Sequence, residues 1–299
     1  MIRLGICDCD TSHAVEFTKR LNHLDIEEDQ WVDGARIVAA YPGESEITQP
    51  DRVHEYVAKL SSYGVEIVDR PEQLLGKVDG VLIESQEGGV HRRHAELFLN
   101  AGLPCFIDKP FACSAEDAAA IARLAEQKGL PVFSSSSLRY ALEVQQLHAD
   151  APVLGRVIGA EAYSPAPVHP RNPGLFHYGI HGVETLYALM GPGCEAVWCV
   201  FAPGAEVVVG MWRDERLGVV RGTRDGIHAY GFVAFCEKGV RAATIDTSYI
   251  YRELLRRIVQ MFATGQPPLD VRESVELVAF IEAAMKSAQL EGRRVDVRF

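Results

Sequence analysis

Two histidines and a glutamate stand close together in a stretch rich in glycine and apolar residues. The segment from 176 to 184 reads FHYGIHGVE, and it contains His177, His181 and Glu184. In a helix these three positions share one face. An imidazole titrates near neutral pH and can move protons, while histidine and glutamate are also ligands for zinc or manganese. The spacing therefore predicts either proton-transfer chemistry or a metal site.

A lysine follows an apolar segment that is typical of a buried strand. Lys109 lies in the triplet DKP, directly after the strand predicted over Pro104–Ile107. A side chain at the carboxyl end of a parallel strand faces the crevice where α/β folds bind ligands. As a cation, Lys109 can hold a substrate oxygen and stabilise the negative charge that develops on it. Arg139, after a run of four serines, can hold a substrate anion or pair with an acid.

The first predicted strand leads into a turn without the glycines of a dinucleotide-binding fingerprint. From residue 5 the turn reads GICDCDTSH. Asp8 and Asp10 would repel a pyrophosphate group, whereas Thr11, Ser12 and the amides of the following helix can donate hydrogen bonds to it. We expect this turn to weaken dinucleotide binding rather than to form a second substrate site.

The elements that position these residues alternate in the first part of the chain. Strand-like apolar segments are followed by segments with helical spacing, which is typical of a parallel sheet covered on both faces. The predicted strands are Ile2–Cys7, Arg36–Tyr41, Val65–Val68, Val78–Glu84, Pro104–Ile107 and Leu130–Phe133. The predicted helices are Ser12–Asn22, Asp51–Ser62, His91–Asn100 and Glu116–Lys128.

After about residue 137 the character of the sequence changes, and strands follow one another through short turns. This pattern indicates an antiparallel sheet. The predicted strands are Ala196–Phe201, Glu206–Trp212, Leu217–Gly222, His228–Phe235 and Val240–Ile245, and the closing helices are Tyr251–Thr264 and Val271–Glu291. The predicted fold class is an α/β Rossmann-like parallel-sheet domain, residues 1–137, followed by an α+β domain with an open, mainly antiparallel sheet, residues 138–299.

Composition and charge exclude several classes of partner. Thirty Lys plus Arg against 41 Asp plus Glu give a net charge of −11, which disfavours nucleic acid and anionic membrane surfaces. No apolar run approaches the roughly 20 residues of a membrane span. The seven cysteines are scattered and never spaced C-x-x-C, so we expect reduced thiols and a cytoplasmic protein. Alternating apolar residues in the second sheet, such as Trp198 and Val200, favour a homodimer or homotetramer.

Taken together, these segments resemble the Gfo/Idh/MocA oxidoreductase family over most of the chain. The strand Val78–Ile83, then His91, then DKP at 108–110 resemble the family's fourth strand through its E-K-P motif, with Asp in place of Glu. Residues 130–140 are similar to its sixth strand and the R-[FY] pair after it. GIHGVE at 179–184 resembles its G-x-H-x-x-D motif.

The resemblance implies a nicotinamide cofactor, NAD or NADP, and a small carbohydrate-like substrate, which is a sugar, inositol or related polyol. The catalytic residues are predicted to be Lys109 as electrostatic partner, His181 as general acid and base, and Glu184 as orienter of the imidazole or of the substrate, with no metal ligand. The roles of Lys109 and His181 could be exchanged. Substrate binding is assigned to Lys109, Arg139, His177 and His181. Cofactor binding is assigned to Cys7, Asp10, Thr11, Ser12, His13, Tyr41, Glu84, Gln86, His91 and Lys109.

Two other functions stay open at this point. A ligand-binding or regulatory protein on the same fold would account for the acids and the histidine in the first turn. A metal-dependent isomerase or lyase would use His177, His181 and Glu184. Titration with NAD and NADP separates a dehydrogenase from both alternatives, and elemental analysis of purified protein tests for a metal.

Overall fold

The computed structural model describes residues 1–226 and 228–299, and they divide into two compact units. The first unit consists of residues 1–112, 117–135 and 251–272, and the second of residues 113–116, 136–250 and 273–299. The predicted domains, 1–137 and 138–299, differ from these units because residues 251–272 pack with the first unit. The cofactor and substrate roles assigned to the two predicted domains stay predictions.

The strands form one sheet in each unit. In chain order they are β1 Ile2–Cys7, β2 Ala35–Tyr41, β3 Glu66–Ile67, β4 Gly80–Ile83, β5 Cys105–Ile107, β6 Val132–Ser134, β7 Val157–Pro165, β8 Cys194–Ala202, β9 Ala205–Trp212, β10 Leu217–Thr223, β11 Gly231–Cys236, β12 Gly239–Thr244 and β13 Val295–Asp296. The first unit has a parallel sheet in the order β3-β2-β1-β4-β5-β6. This is the order of a doubly wound Rossmann fold, whose ligands bind at the carboxyl edge where the strand order reverses. The predicted Rossmann-like sheet is confirmed.

Most helices lie within one or two residues of the predicted bounds. In chain order they are α1 Ser12–Asn22, α2 Pro50–Ser62, α3 His91–Asn100, α4 Ala115–Lys128, α5 Leu142–Ala149, α6 Ala151–Leu154, α7 Ile180–Met190, α8 Ile250–Thr264 and α9 Val271–Gln289. Helix α1 begins after Thr11, whose hydroxyl accepts a hydrogen bond from the backbone N–H of His13, and ends at His23 in the left-handed conformation. Its buried side, which includes Phe17 and Leu21, faces the core of the first unit.

The sheet of the second unit differs from the predicted one in connectivity. Its order is β12-β11-β7-β10-β9-β8-β13, with β7 lying between β10 and β11. Strand β7 is parallel to β10 and antiparallel to β11, so the direct pairing expected between the consecutive strands Leu217–Gly222 and His228–Phe235 is wrong. The sequence analysis missed β7 because its alternation is interrupted by small residues, Gly159, Ala160 and Ala162. The sheet is still open and mainly antiparallel, as predicted.

The two faces of this second sheet differ in burial. On one face Trp212 packs against Tyr187 of α7 and donates a hydrogen bond from its indole N–H to the carbonyl of Gly191. Towards the other face, Val200 is 69% exposed and Val240 is 61% exposed. This apolar exposure is consistent with the predicted homo-oligomer, which stays a prediction.

The length and the apolar character of the helices decide whether one of them could cross a membrane. Within residues 1–226 and 228–299, none of them combines the length and the apolar character that crossing a bilayer requires.

Candidate functional site

In the first unit, backbone pairing brings several predicted site residues to one edge of the parallel sheet. The N–H of Glu84 donates to the carbonyl of Cys7 at 2.9 Å, and the N–H of Asp108 donates to the carbonyl of Ile83 at 2.8 Å. These bonds extend the pairing of β1, β4 and β5 by one residue. The turn after β1 therefore lies beside the residues that follow β4 and β5, where a Rossmann fold binds its ligands.

The two acids in the first turn point into the protein. Asp8 has a φ of 68°, the left-handed conformation that glycine would adopt at this position. Its carboxylate accepts a hydrogen bond from the hydroxyl of Ser85 at 2.5 Å and lies 3.0 Å from His94 Nε2. The carboxylate of Asp10 accepts hydrogen bonds from the Ser45 hydroxyl at 2.6 Å and from the backbone N–H of Gln86 at 2.9 Å. Protein donors therefore satisfy both acids that were expected to face a pyrophosphate.

The start of α1 fits the anionic part of a dinucleotide. Its first turn contains no acidic residue, Thr11 caps it, and Ser12 is exposed. The first amides of a helix together with its dipole form a binding site for a phosphate group. Since Asp8 and Asp10 are buried, they leave this surface to Ser12 and the first amides of the helix.

One histidine of the first turn lies between two buried acids. His13 Nδ1 is 2.8 Å from an oxygen of Asp108 and 3.6 Å from an oxygen of Glu84. Burial raises the pKa of Glu84 to about 7. Burial also acts to raise the pKa of Asp108, but the positive charges of His13 and Lys109 outweigh it and lower that pKa to about 2. Three residues predicted to bind the cofactor, His13, Glu84 and Lys109, are thus grouped around Asp108, which the sequence analysis did not single out.

Three other predicted cofactor residues have protein partners. The ring of His91 lies with Nε2 2.8 Å from the carbonyl of Ser85 and Nδ1 2.9 Å from that of Pro110. The thiol of Cys7 is 3.4 Å from His94 Nδ1, and burial raises its pKa well above the usual value, so the thiol stays neutral. The side-chain oxygen of Gln86 accepts a hydrogen bond from the hydroxyl of Thr48 at 2.7 Å. These contacts join the loops after β1, β2, β4 and β5.

Lys109 and Tyr41 stand at the carboxyl ends of their strands, as predicted. Lys109 follows Asp108 after β5 and is 7% exposed, and its backbone N–H donates to the Asp108 carboxylate at 2.7 Å. Tyr41 ends β2, and its carbonyl accepts a hydrogen bond from the N–H of Asp8. Cofactor binding by these residues stays a prediction.

In the second unit, His181 lies in the first turn of α7. Its Nδ1 is 2.7 Å from the hydroxyl oxygen of Ser136, and the rings of Tyr178 and Tyr230 meet its ring edge-on. The helix can begin here because Gly179 approaches Leu175 so closely that a Cβ would lie 2.9 Å from the Leu175 Cα. The imidazole is thus held in one orientation on a rigid element. The sequence analysis missed Ser136, for which the serine run 134–137 is the only signal.

His177 does not share a helix face with His181 and Glu184, so that prediction is wrong. Helix α7 begins at Ile180, and His177 lies before it with its ring centre 5.3 Å from that of His169. Among the described residues, the clusters that could hold a metal ion are Cys7-Asp8-His94 and His13-Glu84-Asp108. The predicted alternative, a metal at His177, His181 and Glu184, is therefore not supported by the geometry.

Glu184 belongs to a buried ion-pair cluster. Arg139 Nε donates a hydrogen bond to Glu184 at 2.7 Å, and Arg139 Nη1 lies 2.7 Å from an oxygen of Glu273. Burial raises the pKa of Glu184 in spite of the opposing charge of Arg139. The structure thus shows the pairing of Arg139 with an acid, and it gives Glu184 a partner other than the predicted imidazole. Contact of Arg139 with a substrate stays a prediction.

Comparison with known proteins agrees with the resemblance seen in the sequence. Residues 33–136 match the GFO_IDH_MocA family model, which describes an oxidoreductase family with an NAD-binding Rossmann fold. This match confirms the predicted resemblance to the Gfo/Idh/MocA oxidoreductases. No curated protein matches the sequence.

Several solved structures share the fold over the whole chain. One is scyllo-inositol dehydrogenase from Lactobacillus casei with bound NAD(H) and scyllo-inositol, with a TM-score of 0.79, 16% identity and coverage of 99% of each chain. Another is myo-inositol dehydrogenase from the same organism in complex with NAD(H) and myo-inositol, with a TM-score of 0.79, 14% identity and coverage of 100% of this chain and 97% of that one. Myo-inositol 2-dehydrogenase from Lactobacillus plantarum has a TM-score of 0.80, 14% identity and coverage of 99% of each chain. At this identity the likeness shows the fold.

Proposed function

We propose that the protein is an NAD-dependent dehydrogenase that acts on a secondary hydroxyl group of a polyol such as an inositol, or of a related sugar. The observation that carries the proposal is the fixed imidazole of His181, which lies in a chain whose residues 33–136 match an NAD-binding oxidoreductase family. The polyol class is supported by structural neighbours that were solved with bound myo- or scyllo-inositol.

The first unit supplies the surface for the dinucleotide. Ser12 and the amides at the start of α1 bind the pyrophosphate, since no acid lies in that turn. Glu44, three residues after β2, lies in the region that contacts the adenine ribose in this fold. Its negative charge would repel a 2′-phosphate, so we expect NAD to be preferred to NADP.

His181 takes the proton of the substrate hydroxyl in the oxidation. NAD, when bound, supplies the acceptor for the hydride that leaves the same carbon. An imidazole suits the proton transfer because its ordinary pKa lies near neutral pH. The Ser136 hydroxyl at Nδ1 fixes the plane of the ring. In the reverse reaction His181 returns the proton to the oxygen.

Lys109 acts as a cation that binds the substrate oxygen and stabilises the negative charge that develops on it. The hydrogen bond from its backbone N–H to the Asp108 carboxylate orients the residue at the end of β5. Arg139 and Glu184 support the start of α7 through their ion pair, and in this way they position His181 on its helix.

The test is a panel of inositols, other polyols and sugars, assayed with NAD and with NADP at the nicotinamide absorbance. On the best substrate we expect His181→Ala to lower kcat by about 10²–10⁴-fold. Replacement of an exposed histidine, His54→Ala on α2, serves as the control and leaves kcat unchanged. The proposal fails if neither dinucleotide binds in calorimetric titration, or if His181→Ala keeps wild-type turnover.

A further inference from the structure

We propose that His13, Glu84 and Asp108 form a binding site for one divalent transition-metal ion, with Zn²⁺ as the best match to the ligand set. The site lies in the first unit, where the turn after β1 meets the residues that follow β4 and β5. It goes beyond the dehydrogenase function, and it does not depend on a bound dinucleotide.

The spacing of the ligand atoms fits a shared ion. One nitrogen of His13, one oxygen of Glu84 and one of Asp108 all lie within 4.8 Å of one another. His13 Nδ1 is 2.8 Å from the Asp108 oxygen and 3.6 Å from the Glu84 oxygen. Atoms that bind the same zinc ion at about 2.0–2.2 Å stand roughly 3.0–3.6 Å apart. The three side chains therefore need only small adjustments to hold the ion together.

The same atoms lack hydrogen bonds within the described part of the chain. His13 Nδ1 forms ion pairs with Asp108 Oδ2 at 2.8 Å and with a Glu84 oxygen at 3.6 Å, but neither pair has the geometry of a hydrogen bond, and neither carboxylate oxygen of Glu84 accepts one. All three residues are buried. Buried polar atoms almost always have partners, since an unsatisfied one destabilises the fold. A single cation placed among these atoms would satisfy them together.

The second cluster of potential ligands, Cys7, Asp8 and His94, lacks this property. The Asp8 carboxylate accepts the Ser85 hydroxyl hydrogen, and the two ring nitrogens of His94 lie against Cys7 and Asp8. Burial also raises the pKa of the Cys7 thiol well above its usual value, whereas a thiol must lose its proton to bind zinc. Of the two clusters, the one at His13 has converging ligand atoms that form no hydrogen bond among the described residues.

Neighbouring residues of the first unit hold the ligands of the proposed site in place. One carboxylate oxygen of Asp108 accepts the Lys109 N–H, which directs the other towards His13. The imidazole of His13 stacks on Phe17 with ring centres 4.9 Å apart, and Tyr251 meets it edge-on at 5.0 Å. Supports of this kind orient ligands in metal sites. Because two of the ligands are carboxylates and one is an imidazole, the set favours zinc or manganese over magnesium and calcium, which prefer oxygen alone.

A proton is the competing occupant of this position. Burial acts to lower the pKa of His13, but the charge of Asp108 outweighs it, and the pKa stands well above its usual value. Without a metal, the cluster would thus contain an imidazolium between two acids. A three-ligand zinc site, by contrast, has a fourth position for water or a substrate oxygen. The two states differ in metal content, which an experiment can measure directly.

The first measurement is elemental analysis of tag-free protein, followed by removal of metal with a chelator and calorimetric titration with Zn²⁺ alone. We expect one ion per chain and an increase in melting temperature on binding. Glu84→Gln and Asp108→Asn keep the side-chain shape, and each should weaken Zn²⁺ binding by about 100-fold or more, since each removes a ligand. His94→Gln, in the other cluster, is the matched control and should bind like the wild type.

A second measurement applies even if the variants fail to fold. Wild-type protein loaded with Co²⁺ should show the ligand-field absorption of a four- or five-coordinate ion, and added Zn²⁺ should remove it. Absence of bound metal, of a calorimetric signal and of Co²⁺ absorption in folded wild-type protein would overturn the proposal and leave the imidazolium as the occupant. Zn²⁺ binding that survives both Glu84→Gln and Asp108→Asn would also overturn it. Dinucleotide binding is measured on the same samples, so failure of the proposed function is recognised separately.

Discussion

The two units of the molecule each place two carboxylates around one nitrogen-bearing side chain, but the pairing differs. In the second unit, Arg139 donates a hydrogen bond to Glu184 and contacts Glu273. Its guanidinium is charged at every accessible pH, so the cation of this cluster is permanent. In the first unit, His13 holds the corresponding place, and an imidazole can be charged, neutral or bound to a metal.

This difference separates a structural cluster from a functional one. A permanent guanidinium leaves the carboxylates beside it no need for another cation, so the second-unit cluster serves to anchor α7. A histidine between two acids can exchange its proton for another cation. Both clusters contain buried atoms without a hydrogen bond among the described residues, so what distinguishes them is whether the cation is permanent. Both clusters are buried, so burial alone would not have told them apart.

The largest effect that tests this comparison is expected at Arg139. Arg139→Met should lower the free energy of unfolding by about 3–5 kcal/mol, because it leaves the buried Glu184 carboxylate and the half-buried Glu273 carboxylate without their cation. Urea unfolding of the variant measures the change. Arg156→Met is the matched control, since Arg156 is 62% exposed in its pair with Asp214 and such pairs contribute about 1 kcal/mol or less. An equally small loss at Arg139 would break the distinction between the two clusters.

Asp10 is a further buried acid, but its hydrogen-bond donors are neutral groups, the Ser45 hydroxyl and the backbone N–H of Gln86, instead of a cation. Burial raises its pKa from 3.8 to about 6. Between pH 4 and 6 the folded protein therefore keeps a proton that the unfolded chain loses, and the free energy of unfolding falls as pH rises through this window. Asp10→Asn cannot ionise, so at pH 7 it should be more stable than the wild type by up to about 3 kcal/mol.

The measurement for Asp10 is thermal or urea unfolding at pH 4 and at pH 7. The gain of Asp10→Asn should be present at pH 7 and largely lost at pH 4, where the folded-state carboxyl is protonated and the unfolded-state carboxyl, with its pKa of 3.8, is close to half protonated. Asp33→Asn is the control, because the Asp33 side chain is 93% exposed and its replacement should give no such pH-dependent gain. A stability difference that is independent of pH would contradict this account.

The parallel sheet and its helices could be predicted because their signals are local. The apolar strands Ile2–Cys7 and Cys105–Ile107 and the spacing of α1 are visible within single segments. Strand β7 could not be predicted in this way, since its place between β10 and β11 depends on pairing across the sheet. His177 lies outside α7 because the helix begins at Ile180. The periodicity of the sequence does not show at which residue a helix begins.

The candidate sites were predictable one residue at a time, but their grouping was not. The sequence analysis selected His13 and Glu84 for the cofactor and Lys109 for catalysis, and the spacing within each segment did not show that Asp108 would join them. The signal lay in the predicted sheet, because acids at the ends of the adjacent strands β4 and β5 must lie close together. Likewise, the contact of Ser136 with His181 joins two segments that lie far apart in sequence.

The smallest predicted effect compares the two imidazoles directly. Nδ1 of His13 has no hydrogen bond among the described residues, whereas His181 Nδ1 meets the Ser136 hydroxyl at 2.7 Å. If this bond positions His181 for proton transfer, its loss affects the chemical step more than substrate binding. A neutral hydrogen bond contributes about 1 kcal/mol, so Ser136→Ala should lower kcat on the best polyol by roughly 5–10-fold. The Michaelis constant should stay close to that of the wild type.

The control for this prediction is Ser137→Ala, which removes a neighbouring buried serine and should leave both kinetic constants unchanged. Thermal unfolding of both variants shows whether the fold is intact. A purely structural role for Ser136 would lower the melting temperature and leave the kcat of the folded fraction unchanged, because every folded molecule would still carry a correctly placed imidazole. A rise in the Michaelis constant at constant kcat would instead assign Ser136 to substrate binding. Only a loss of kcat at a constant Michaelis constant agrees with an imidazole that is held by Ser136 for proton transfer.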